Sequence, residues 1–365
     1  MRHRHATWSC FVTTLTLVTT LTGCAGRLGP RVVPADRVNY NEAIIESWNE
    51  QMLLNLVRLR YRDNPLFLEA NGVVTHYEVV GKAGASADAT ARNPGGTAAL
   101  GLAASLEYHE APTIAYSPLN GEDFAQRILS PIPPSTILLL SESGWSLSRL
   151  FTCCVQQANG LRNAVGAAGP TPDYVPPFED FQRLARALRQ LQVDGLVDVE
   201  PDKDGQTRLL LRRGEGGIGE REAAEVRSLL KLDPGRSAYR IRAGLTQSAP
   251  DEIAISGRSL LAVMFFLSQA VEVPASDERA GVVTVTQRGG KRFDWSEVTG
   301  SLLRVRATPA SPVDAAVRVR YRNAWFSIAD ADLTSKTTFT LLTYLFNLQA
   351  AGRERREMLL TYPVK

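Results

Sequence analysis

The densest group of potentially reactive side chains is Asp330-Ala331-Asp332 followed by Ser335-Lys336, which sets carboxylates, a hydroxyl and an ammonium between an aromatic segment and an apolar one. Polar clusters on loops carry function more often than core residues do, so this group is a possible ligand or partner site. The same residues could cap a helix, because a carboxylate accepts free backbone N–H groups and complements the helix dipole. Elsewhere reactive chemistry is sparse. Beyond the leader only His76 and His109 remain, too few for a zinc cluster with its usual ligand spacing. Ser228-Leu229-Leu230-Lys231 matches a Ser-x-x-Lys pattern by letters, but it lies among leucines and lacks that enzyme class's partner motifs. Asp202 and Asp204 lack the further ligands of a calcium loop and read as a hairpin turn. Cys153-Cys154 are neighbours, a spacing unfavourable for a disulfide and different from Cys-x-x-Cys; two helical thiols, at least one buried, are expected. No catalytic residue, metal or cofactor is assigned, and the chain is expected not to be an enzyme.

The N-terminus carries a different chemistry. Met1-Arg2-His3-Arg4-His5 is basic, and Ala6 to Thr22 holds no charge. That run is too short for a comfortable membrane span, which needs about 20 mainly apolar residues. A basic start, a short apolar stretch and small residues at a cut form the pattern of a secretory leader. Leu21-Thr22-Gly23-Cys24 resembles the lipobox of bacterial lipoproteins. The resemblance implies cleavage before Cys24 and acylation of its thiol. Several acyl chains, at about 0.8 kcal/mol per buried CH₂, make a stable membrane anchor. With Ala25 rather than Asp next, the sorting rule of that family implies the outer membrane, facing the periplasm.

Removing residues 1–23 takes away Arg2 and Arg4, so the formal charge falls from +3 to about +1. A near-neutral chain has no basic surplus for phosphate contacts, which argues against nucleic acid. The expected partners are the membrane through the lipid anchor, envelope proteins, and further copies of the chain in a homo-oligomer. Hydrophobic content of 44% is that of a protein with a core.

The elements that must position these residues follow from periodicity. Gly26–Ala35, with Gly29, Pro30 and Pro34, reads as part of a tether spanning 24–37. Asn41–Arg62 has helical apolar spacing. Leu66–Val80 reads as a strand bent at Asn71-Gly72. From Gly81 to Ala91 every odd position is Gly or Ala, while the even positions are mostly polar. Asn93-Pro94-Gly95-Gly96 is a turn, and alternation resumes through Tyr108. Alternation on both sides of a turn predicts a β-hairpin over 81–108. Thr113–Tyr116 adds a short strand, Ile137–Leu140 a buried strand, and Ser146–Asn159 a helix stopped by Gly160. Glycines, alanines and prolines over 166–177 suggest a linker between an N-terminal domain (38–165) and a C-terminal one (178–365). In the latter, helices are expected at Phe178–Gln192, Glu220–Lys231, Ser259–Val271 and Leu333–Gln349, with strands between. Val282–Gln287 and Leu302–Thr308 are among those strands. Helices and strands mix without strict alternation, so the expected class is α+β with largely antiparallel sheets and two subdomains.

Each arm of the hairpin is about 11 residues, the length of a membrane β-strand. Copies in a ring could close a barrel, a layout similar in style to the curli export channel; a soluble hairpin packed on protein fits the small residues too. Phe178–Arg212 resembles a winged-helix unit in outline. Glu50-Gln51-Met52-Leu53-Leu54-Asn55-Leu56-Val57-Arg58-Leu59-Arg60-Tyr61 and Tyr321-Arg322-Asn323-Ala324-Trp325-Phe326 look like segments of uncharacterised proteobacterial envelope lipoproteins. The expected function is structural or assembly work in the envelope. The alternatives are an oligomeric pore or export component, and a periplasmic module that binds or transforms a ligand near Asp330 and Asp332.

Overall fold

The structure is a computed structural model that describes residues 28–89, 98–164, 175, 177–201 and 206–350. A long helix α1 (Leu28–Arg60) leads into two long strands, β1 (Leu68–Ala89) and β2 (Ala98–Pro118). Then come α2 (Glu122–Leu129), α3 (Pro134–Glu142), α4 (Leu147–Cys154), β3 (Val155–Ala158), β4 (Leu161–Arg162) and α5 (Glu179–Val193). β5 (Val197–Pro201), β6 (Thr207–Leu211), α6 (Glu220–Leu230), β7 (Ala238–Ala243), β8 (Glu252–Gly257) and α7 (Leu260–Ser268) follow. The chain continues through α8 (Ala275–Arg279), β9 (Gln287–Arg288), β10 (Lys291–Arg292), α9 (Ser296–Thr299), β11 (Arg306–Thr308), β12 (Ala315–Tyr321), β13 (Ala324–Ala329) and α10 (Leu333–Ala350). The class is α+β.

Two compact units result, and they are cut differently from the expected pair. One holds the residues to Pro65 together with those from Gln126 onward; the other is Leu66–Ala125. The larger unit contains a six-stranded sheet in the order β4-β3-β8-β7-β6-β5. Because β3 pairs with β8, strands from both sides of 166–177 share one sheet, so that segment does not separate domains. Only β7 and β8 run parallel; the other pairs of this sheet are antiparallel. A three-stranded antiparallel sheet, β11-β13-β12, lies in the same unit.

The helices follow their apolar spacing. On α5, Phe181, Leu184, Leu188 and Leu191 are buried, and Gly195 at φ 68° closes the helix in the left-handed region. α7 is apolar almost all round and buried; the Ser259 hydroxyl caps it by accepting from Ala262 N at 3.2 Å.

Four expectations are corrected. Residues 137–140 lie in helix α3, not a strand: Pro134 starts a helix well, and Leu139 is exposed while Ile137, Leu138 and Leu140 are buried. The chain is helical from Leu28, inside the expected tether, with Pro30 in the first turn, where its missing N–H is tolerated. Of 282–287 and 302–308, only Gln287 and Arg306–Thr308 are in strands. The helix expected over 146–159 ends at Cys154.

That early end has a physical cause. Arg258 is fully buried, and its Nη1 donates to Thr152 O at 2.6 Å and Cys153 O at 2.8 Å, while Nη2 donates to Ala164 O. Asn163 Nδ2 donates to Thr152 O at 3.0 Å and Val155 O at 2.7 Å. A guanidinium and an amide thus take the carbonyls that a longer helix would have used, at the helix end where positive charge is favoured. Arg258 also lies 4.2 Å over the Phe266 ring, and burial lowers its pKa to about 10. Its backbone neighbour is equally constrained: a Cβ at Gly257 would sit 2.1 Å from Ile132 O.

Replacing Arg258 by Met takes the guanidinium donor from the buried Cys153 and Ala164 carbonyls, at about 1–3 kcal/mol each, while Thr152 O keeps its bond from Asn163. The expected loss of about 3 kcal/mol or more is read from the denaturant midpoint. Burial pushes the Cys153 thiol up to about 12 and Cys154 well above its usual range. Both are free and buried, so neither is expected to react with iodoacetamide at neutral pH until the fold is lost.

Candidate functional site

The hairpin unit departs most from an ordinary fold. β1 and β2 pair antiparallel without a break from Gly72 opposite Ala115 to Ala89 opposite Ala98. The only irregularity falls between Ala70 and Gly72, where the Asn71-Gly72 bend was expected. The strands reach well beyond 81–108: the strand expected at 113–116 is the far end of β2, and 66–80 continues into the arm as β1. At about 3.3 Å per residue, 22 residues make a ribbon about 70 Å long.

The register sorts the sequence onto two faces. Ala83 opposes Ala104, Ala85 opposes Leu102, and Ala87 opposes Leu100, so one face is built from small and branched apolar residues. Lys82 opposes Ser105, Ser86 opposes Gly101, and Asp88 opposes Ala99 on the other. The apolar face runs from Val79 and Tyr108 to Ala89 and Ala98 with no charged residue; the next pair down is Tyr77 opposite Glu110. The alternation was legible in the sequence. That Tyr77 falls on the same face as Tyr108, and that His76 and His109 share the opposite face at nearby registers, was not. No third strand of the described residues joins this sheet.

The acidic group forms a helix start. Asp332 precedes α10; its Oδ1 accepts from Ser335 N at 3.0 Å and its Oδ2 from the Ser335 hydroxyl at 2.7 Å. Ser335 is buried, and its Oγ accepts from Arg304 N at 2.9 Å. Lys336 Nζ meets Asp330 Oδ1 at 2.6 Å on the surface. Burial alone would raise the Asp332 pKa, but the Ser335 hydrogen bonds with Arg304 and Arg306 nearby outweigh it and lower it. All four sequence-selected residues are therefore brought together, Asp332 and Ser335 in capping contacts and Asp330 and Lys336 in a surface ion pair. Asp330 and Lys336 also line a cleft of about 480 Å³ with Ile45, Phe339 and Tyr344.

A second grouping escaped the sequence. The segments 50–61 and 321–326 meet: the Tyr61 ring lies 5.5 Å from Tyr321 and 6.2 Å from Phe326, both edge-on. Arg322 sits 4.8 Å over Tyr61, and its φ of 51° makes the tight turn between β12 and β13. Tyr61 Oη donates to Asp277 Oδ2 at 2.6 Å, and Tyr321 Oη donates to Asp63. Burial, then the Asp277 bond, raises the Tyr61 pKa. The cluster ties the end of α1 to the three-stranded sheet. Beside it, Arg60, Arg292 and Arg304 line a cleft of about 520 Å³ with Glu272, Glu278 and Asp294, so its cations and carboxylates balance.

Among the described residues no group of three His, Cys, Asp or Glu could hold a metal, and no helix is long and apolar enough to cross a membrane. Cys24 and the Asp202–Gly205 turn lie outside the described residues.

Three outcomes are expected. Asp332→Ala should cost about 1–2 kcal/mol, the value of an N-cap. Because the folded pKa of Asp332 is depressed, its charge favours folding above the ordinary carboxylate range, and that contribution is lost as pH falls through the folded value. Asp332→Asn should therefore flatten the acid limb of the stability profile. Tyr61→Phe should lower stability by about 1 kcal/mol by removing the bond to Asp277, measured by urea unfolding.

No family model, curated protein or solved structure matches the chain.

Proposed function

We propose that the chain is an exported, lipid-anchored component of the cell envelope that works by assembling with envelope proteins rather than by catalysis. Its place is the outer membrane, facing the periplasm, through acylated Cys24. The observation that carries the assembly role is the β1–β2 hairpin. It forms a unit of its own, with an apolar face and two long strand edges that no other described strand of the chain takes up. An exposed edge of this length is a template for pairing with another chain, and soluble proteins ordinarily blunt or cover such edges. The leader and the Leu21-Thr22-Gly23-Cys24 segment support the compartment.

Mass spectrometry of protein purified from membranes tests the anchor. An N-terminal peptide beginning at Cys24 and carrying acyl chains is expected; an intact leader or an unmodified cysteine contradicts it. Replacing Val79–Tyr108 by a short Gly-Ser turn tests the assembly role. The shortened protein should keep its unfolding midpoint and its lipid but lose its co-purifying partners. Unchanged partners would remove the hairpin from the account.

A further inference from the structure

Resting on that reading, we infer that the hairpin's partner is further copies of this chain, and that the hairpins close into one β-barrel crossing the bilayer. The apolar band decides the setting. Val79–Ala89 and Ala98–Tyr108 are 11 residues each and in register. Eleven residues span about 37 Å along a strand, and at a barrel tilt of ~40° about 28 Å along the axis, near the ~25 Å apolar belt of outer-membrane barrels. Tyr77 and Tyr108 stand on the apolar face at its lower end, where such barrels carry aromatic residues at the interface. Glu110, opposite Tyr77, ends the apolar run. At the other end the sequence turns polar again through Thr90, Arg92 and Asn93.

The edges decide the partner. In hydrocarbon every backbone N–H and C=O needs a protein partner, so one hairpin cannot sit there alone; only closure satisfies both edges. The β1 edge of one copy and the β2 edge of the next have matching lengths, and head-to-tail contacts of this kind generate rings. Two strands per copy make the strand number even. Since the smallest barrels have eight strands, at least about four copies are required. The face bearing Lys82, Ser86, Asp88 and Ser105 would then line the lumen, and the face bearing Ala85 and Leu102 would meet lipid.

Single cysteines at Ala85 and Leu102 on one face, and at Ser86 and Ser105 on the other, test this in the full-length lipidated protein in its native membrane. Cys153 and Cys154 are buried, and Cys24 is blocked once acylated, so background labelling is low. A water-soluble maleimide should label the second pair about tenfold more than the first, with the order reversed for a lipid-soluble maleimide. Equal labelling of both faces overturns the barrel. So does an Ala85→Arg variant that assembles and partitions as well as Ser86→Arg, since arginine facing lipid is disfavoured. If the first pair is shielded by a different protein found by cross-linking, self-pairing is overturned as well. These failures leave the acyl group on Cys24 in place, whereas failure of the envelope reading removes it.

Discussion

A strand paired on one side only has half of its backbone donors and acceptors without a ladder partner, and the rest of the account follows from that constraint. No other described strand pairs with the outer edges of β1 and β2, and an edge left open in water invites pairing with another chain. In lipid they must be closed. A short edge strand can be hidden by a bulge or a loop. Here pairing runs unbroken from Gly72 to Ala89, well past what a local device covers. A ribbon of this length is best understood as part of something larger than one chain.

The larger unit is built on the opposite principle. Several of its buried polar groups find partners far away in the sequence, although Arg258 Nε and Gln269 Oε1 are buried without a hydrogen bond. Arg258, Asn163 and the end of α4 form one such knot, and Tyr61, Asp277, Tyr321 and Asp63 another. The ion pair of Arg242 with buried Glu252 joins the parallel strands β7 and β8 in the same way. Such networks favour a single packing, because breaking one leaves a desolvated group alone. One chain thus combines a body with long-range side-chain networks and a hairpin that no other described strand extends.

Local patterns made much of this legible in the sequence. The hairpin's alternation, the apolar helix after Ser259, the helix Glu179–Val193 and the α+β mixture all follow from periodicity and turn chemistry over a few residues. What failed was short or non-local. The apolar run 137–140 has no period long enough to tell helix from strand, and Pro134 decided it. α4 ends early because Arg258, about a hundred residues away, takes its carbonyls. The Gly- and Pro-rich stretch 166–177 looked like a boundary, yet β3 and β8 pair across it. For the candidate site, composition gave the two-faced character of each strand. Only the register placed Tyr77 with Tyr108 and set the apolar band at 11 pairs.

The central claim concerns number: a barrel built from hairpins has a minimum count of copies. Native mass spectrometry of the lipidated protein, extracted in mild detergent and never unfolded, reads that count directly. A single closed species of at least about four copies, reduced to monomer when the turn-proximal half of the hairpin is removed, is the predicted result. A monomer or dimer from intact protein would contradict the account, because neither supplies the strands that closure requires.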